Sequence, residues 1–160
     1  MCEMRKYCLS LLLLLLTLVS NAVEPPKREI RGVWLTTVYG LDWPRKPATT
    51  ETGRKAQQRD VCDILDRLQD ANFNTVFLQV RLRGDVIWRS AIEPASKTFS
   101  GKYGMMPGYD PLAFVVDECH KRGMECHAWF VTFPLGTDKS VIEQGKLSVV
   151  RRQPKLCKRH

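Results

Sequence analysis

The sequence has no glycine-rich phosphate loop and no G-x-S-x-G, so neither nucleotide binding nor a serine hydrolase of that class is indicated. It has no internal repeat and no low-complexity tract. After the first two dozen residues, no apolar run reaches the roughly twenty helical residues that cross a bilayer. The body of the chain also lacks a charge imbalance. The formal net charge is +8, yet residues 23–138 carry sixteen Lys/Arg against fifteen Asp/Glu. The basicity lies in 139–160, with seven Lys/Arg (139, 146, 151, 152, 155, 158, 159) against Glu143. A solvated charged segment explains this more simply than a polyanion-binding tail, and no nucleic-acid partner is expected.

What is present begins with a leader. Arg5 and Lys6 precede the apolar run Cys8–Val19, and Ser20-Asn21-Ala22 supplies small residues for cleavage. That layout predicts a secretory signal peptide over 1–22, cleaved after Ala22. The expected location is secreted or periplasmic, with no membrane contact once the leader is gone. Cys8 lies too early for a lipoprotein site. Residues 23–29 read as a Pro-interrupted linker and 30–160 as one modest domain. Four cysteines remain: Cys62, Cys119, Cys126 and Cys157. Export permits disulfides, but three of these fall in helical or strand patterns where Cys serves as a small buried residue. Free thiols are expected, with pairing left open.

Periodicity then gives the elements. Ile30–Val38 is rich in β-branched and aromatic residues and predicts a first strand. Tyr39–Thr52 contains Gly40, Pro44 and Pro47 and predicts a loop. Over Gly53–Ala71, Val61, Ile64, Leu65 and Leu68 form one helical stripe. Asn74–Val80 predicts a second strand. It runs into the charged stretch Arg81, Arg83, Asp85 and Arg89, which places a site at the carboxyl ends of the strands. Arg81–Gly108 is a long connection. Asp110-Pro111 opens a second helix as N-cap and first residue, with Leu112, Val115, Val116 and Cys119 as its stripe and Gly123 as its stop. Met124–Thr132 predicts a third strand, and Lys139–His160 has weak helical character. The order β-α-β-loop-α-β with near-continuous apolar strands predicts an α/β fold with a parallel sheet buried on both faces and both helices on one side.

Four blocks carry a resemblance: Arg31–Thr37 (RGVWLTT), Asn72–Val86 (NFNTVFLQVRLRGDV), Pro107–Leu112 (PGYDPL) and Gly123–Phe130 (GMECHAWF). Together the chain resembles the glycosyl-hydrolase-like family 10 proteins, secreted bacterial proteins with a (β/α)8 barrel. Leu82 stands where that family more often has Pro, and Trp88 where it commonly has Tyr. The resemblance implies a TIM barrel, which needs about 250 residues. The expectation is therefore an incomplete (β/α)8 barrel of about three parallel strands and two crossover helices. On this expectation the chain is the amino-terminal part of a longer protein, inactive alone because the later strands are missing and marginally stable because its strand edges are unpaired.

The resemblance implies carbohydrate as substrate and a glycosidase acting on poly- or oligosaccharide by carboxylate acid/base catalysis. The alternatives are a non-catalytic glycan-binding barrel and a truncated product without function. Glycoside hydrolysis usually needs two carboxyls. Asp85 is the one catalytic candidate, and in barrel glycosidases of this general kind the catalytic carboxylates come typically from the fourth strand onward. Substrate-binding candidates at the rim are Arg81, Arg83, Gln79, Asp42, Trp43, His127 and Trp129. The blander reading makes Arg81, Arg83 and Asp85 an ion-pair network that fixes the loop, and His127 a hydrogen-bonded core residue. Trp43, Trp88, Tyr103, Tyr109 and Trp129 offer flat faces to sugar rings, although at least half of them read better as packing residues. Cys119-His120 and Cys126-His127 make a C-H-x5-C-H pattern, but its halves point to opposite faces, so no metal and no cofactor are expected.

Overall fold

The computed structural model describes residues 29–158. The leader over 1–22 and all of the 23–29 linker except Glu29 lie outside the described residues. Three strands, β1 (Gly32–Leu35), β2 (Thr75–Arg81) and β3 (Glu125–Phe130), form one parallel sheet in the order β1-β2-β3. Gly32 pairs with Thr75 and Leu35 with Leu78, while Thr75 pairs with Glu125 and Gln79 with Trp129. The fold is thus α/β with an open parallel sheet.

Each crossover carries a helix whose limits follow from local chemistry. Helix α1 (Glu51–Asp70) starts two residues earlier than its apolar stripe predicts, because the Thr50 side chain accepts from Gly53 N–H at 3.1 Å. Asn72, in the left-handed region at φ 61°, turns the chain out of it. The long connection holds a one-turn helix, α2 (Lys97–Ser100), capped by Ser96. Helix α3 (Pro111–Lys121) has Asp110 as N-cap, its Oδ1 accepting from Ala113 N–H at 3.1 Å. Gly123, at φ 68°, follows its end. Two short helices, α4 (Asp138–Gln144) and α5 (Val149–Arg152), realise the weak helical pattern of the basic segment.

The core lies between one sheet face and the long helices. Val76, Leu78 and Val80 of β2 and Leu35 of β1 are buried against Val61 and Leu65 of α1 and Val115 and Cys119 of α3. Both helices cover the same face, as right-handed crossovers require. The prediction of a sheet buried on both faces is corrected. On the other face Trp34 stacks on Phe77 at 4.8 Å, Trp129 meets Trp34 edge-on at 5.0 Å, and His127 lies 5.4 Å from Phe77. Trp34 is 58% exposed there, because among the described residues no element covers that face. Aromatic content alone does not distinguish a covered sheet face from an open one.

Strands β1 and β3 are shorter than their apolar runs predict, for one shared reason. Side chains take the backbone groups that a longer ladder would use. The Asp42 carboxylate accepts from Thr36 N–H at 2.8 Å, and Gln79 Oε1 accepts from Thr37 N–H at 3.0 Å and Val38 N–H at 2.9 Å. At the end of β3, the Arg81 guanidinium donates to the carbonyls of Val131 and Thr132. The four cysteines are free thiols.

A charged bolt joins α1 to α3. Arg122 Nε donates to Asp66 at 2.6 Å and its Nη1 to Glu118 at 2.7 Å, while Lys121 donates to Glu118 at 2.6 Å. These hydrogen bonds, from Lys121 first and Arg122 second, hold the Glu118 carboxyl down at about 2 against an ordinary 4.5. A carboxyl depressed by folding stabilises the fold fully above its unfolded value and loses that contribution as pH falls toward its folded value. Glu118→Gln is therefore expected to flatten the acid limb of stability between about pH 4.5 and about pH 2. Urea midpoints for both proteins across that interval check this, and parallel limbs would refute it.

Candidate functional site

The carboxyl ends of the strands gather the predicted residues into three groups with different local chemistry. The first is a set of braces. Arg81 ends β2 with its side chain 13% exposed, and Glu93, from the following loop, is 11% exposed. Nε and Nη2 of Arg81 donate to the two Glu93 oxygens at 2.7 and 2.6 Å, a fork-on-fork pair. Nη1 reaches the Val131 and Thr132 carbonyls, so one guanidinium ties β2, the loop after it and the end of β3. Gln79 is buried and occupied by Thr37 and Val38. Asp42 is held by the backbone and hydroxyl of Thr36.

Trp43 is enclosed, 1% exposed, its Nε1 donating to the Gln57 carbonyl at 2.7 Å and its ring 4.9 Å from Phe99. As placed, its ring is closed to a sugar. The position just past β1 that made Trp43 a rim candidate says nothing of where a loop side chain turns.

The second group is the rim itself. After β2 the chain reverses: Leu82 N–H donates to the Asp85 carbonyl at 2.9 Å and Arg83 N–H to Asp85 Oδ1 at 3.0 Å, with Gly84 at φ 74°. Glycine suits that left-handed position. Asp85 is 4% exposed and braces the turn that aims Arg83. The Arg83 guanidinium lies 4.2 Å over the Tyr39 ring and donates to the Tyr39 hydroxyl. Its Nε is enclosed with no partner among the described residues.

Tyr39 is 72% exposed and holds φ 57°, a left-handed conformation that a bulky residue adopts only under constraint. Behind the turn sits Tyr103. Burial first, and the Asp85 charge second, push its hydroxyl up to about 12. Lys97, paired with Glu143, lies 5.0 Å from the Tyr103 ring centre. Gln144 donates to the Arg83 carbonyl at 3.3 Å.

The third group is the open face. His127 and Trp129 stand there with Trp34 and Phe77, and His127 Nε2 lies 2.9 Å from Glu125. Sequence reasoning missed Glu93 and Tyr39. Each meets its arginine across 12 and 44 residues of irregular chain, where no periodicity relates partners. The only local signal was Tyr39 next to a glycine at a strand end.

Chemically, the group offers an exposed aromatic ring, a guanidinium with unused donors and a buried carboxylate that sets the turn. The rim carboxylates are already engaged: Asp42 by Thr36, Asp85 by Arg83 N–H and Glu93 by Arg81. Such a set suits hydroxyl-rich ligands more than bond cleavage by itself.

Comparison with known proteins bears on the same stretch. The profile of the family described as Glycosyl hydrolase-like 10 matches residues 29–159. "Glycosyl hydrolase DigH" of Escherichia coli strain K12 is 50% identical over 111 residues, which is 67% of this chain and 25% of that protein. "Glycosyl hydrolase YngK" of Bacillus subtilis strain 168 is 41% identical over 103 residues, 64% of this chain and 20% of that protein. The chain spans a quarter or less of the length of these relatives.

Proposed function

The chain belongs to the glycosyl hydrolase-like 10 family, and from that membership we propose that it forms one wall of the glycan cleft of an exported glycoside hydrolase. The leader-like residues 1–22 support export. The observation that carries the reading is the rim pair. Tyr39 is an exposed ring held in a constrained backbone conformation, and Arg83 lies across it at the carboxyl ends of the strands. In (β/α)8 enzymes that end of the sheet carries the chemistry.

In this reading a sugar ring lays its C–H face near Tyr39, and the Nη2 N–H groups of Arg83 donate to its hydroxyls. Asp85 keeps the turn closed so that Arg83 cannot swing away. Cleavage needs two carboxyls flanking the bond. The described rim carboxylates are committed to backbone or guanidinium, so this wall binds and orients. The acid/base pair of a complete barrel would come from other strands. A second reading, glycan binding without cleavage, is favoured by that same engagement of Asp42, Asp85 and Glu93.

Calorimetric titration of the full chain with soluble oligosaccharides tests the proposal. Tyr39→Ala is expected to weaken binding about tenfold, the scale of losing one aromatic–ligand contact and its cation partner. Asp85→Asn is expected to lower affinity through the loosened turn. Undiminished affinity in both variants, with folding intact, would remove the rim from the site. Release of new reducing ends by a longer protein that contains this wall separates cleavage from binding.

A further inference from the structure

Beside the rim, the loop after β2 shapes a hollow of about 370 Å3 lined by Trp88, Arg89, Ala95, Met106 and Leu147. The half-buried Trp88 ring meets Phe130 edge to face at 5.8 Å, and Phe130 ends β3 and is 49% exposed. Arg89 is exposed and has neither an ion pair nor a hydrogen bond among the described residues.

The walls are fixed before any ligand arrives. Ser90 Oγ accepts from Ile92 N–H at 3.0 Å and Glu93 N–H at 3.2 Å, and Glu93 is clamped by Arg81. Val86 N–H donates to the Pro94 carbonyl at 3.0 Å, and Ser96 N–H to the Val86 carbonyl at 2.8 Å. Arg152 donates to the Ile92 carbonyl.

The geometry points to a second sugar subsite in this hollow, with Trp88 as the platform and Arg89 as the hydroxyl donor. A half-open indole face matches the C–H face of a pyranose. A guanidinium with every N–H free suits the hydroxyls at that sugar's edge. Preformed walls spare the ordering cost that weakens binding to loops. Two contacts tie the walls of the hollow to the strand ends: Trp88 meets Phe130 at the end of β3, and Ser90 bonds Glu93, which Arg81 holds. A ligand that engages both Tyr39 and Trp88 is an oligo- or polysaccharide. The inference rests on the glycan reading of the rim.

Titrating the full chain with short and long cellulose- and chitin-derived oligosaccharides tests it. Trp88→Ala is expected to weaken hexasaccharide binding about tenfold and leave disaccharide binding unchanged. Trp88→Phe keeps most of the affinity, and Arg89→Ala lowers only that for the hexasaccharide. Arg89 is exposed and unpaired, so that variant carries the test even where Trp88→Ala unfolds. Equal hexasaccharide affinity in the unaltered chain and both alanine variants overturns the subsite and leaves the rim standing. Equal losses for disaccharide and hexasaccharide also overturn it. Failure of the unaltered chain to bind any of these sugars overturns the rim reading, and the subsite with it.

Discussion

Glu93→Ala is expected to destabilise the fold by about 3–5 kcal/mol, the scale of breaking a buried ion pair from one side. The loss exceeds that of a surface bridge because both side chains are nearly enclosed. Removing Glu93 leaves the Arg81 guanidinium under its cover with two donors unpaired. Its Nη1 still holds the Val131 and Thr132 carbonyls, so the damage spreads to the end of β3. Arg81→Ala strands the Glu93 carboxylate in the same way and costs a similar amount. The double variant is expected to cost less than the two single losses combined, since neither charge is then left alone. Urea unfolding of the four proteins gives the coupling. Single losses of less than about 1 kcal/mol, the range of exposed pairs, would show that water reaches the pair.

Trp43→Ala is expected to cost about 3–5 kcal/mol, as large aromatic truncations in cores do. Two effects combine. The cavity faces Phe99, which loses its edge-to-face neighbour. The Gln57 carbonyl loses the indole donor. Gln57 is itself a hub: its amide donates to the Lys46 carbonyl at 2.7 Å and the Phe99 carbonyl at 2.9 Å, and it accepts from the Tyr109 hydroxyl at 3.0 Å. Burial there pushes the Tyr109 hydroxyl up. Trp43→Phe keeps much of the packing and loses the indole donor, so it separates the two effects, at about 0.5–1.5 kcal/mol for the lost hydrogen bond, since the Gln57 carbonyl keeps its helical partner. Thermal melts with a calorimetric enthalpy measure both variants. A Trp43→Ala protein as stable as the parent would place Trp43 outside the core.

These two residues also show what the sequence could and could not reveal. Helix α3 was legible because Asp110, Pro111 and Gly123 act within a few residues of themselves. The β-α-β order was legible because hydrophobic period is local. Glu93 was not, since nothing in a loop marks which of several carboxylates will meet Arg81. Trp43 was read as a rim residue from its position after a strand. Position in a loop fixes chain path, whereas burial depends on what packs above it, here Phe99 from the far connection. Arg83 and Asp85 lie side by side in the turn after β2, as their spacing in the chain requires, and the blander reading of a loop-fixing network fits the geometry. Asp85 serves the turn, and Arg83 faces outward over a tyrosine that the strand pattern had left in a loop.

The parallel sheet has a consequence in time as well as in space. Arg31 and Asn74, which exchange hydrogen bonds at the start of β1 and β2, are 43 residues apart. Arg81 and Val131, which join β2 to β3, are 50 apart. Each ladder therefore closes a long loop before it returns any energy, which makes such sheets slow to assemble. The capped helices can form locally and wait. The rim, which needs all three strand ends and the Arg81–Glu93 clamp, is expected to be completed last. Loss of the clamp then acts mainly on how fast the finished fold opens, not on how fast it is reached.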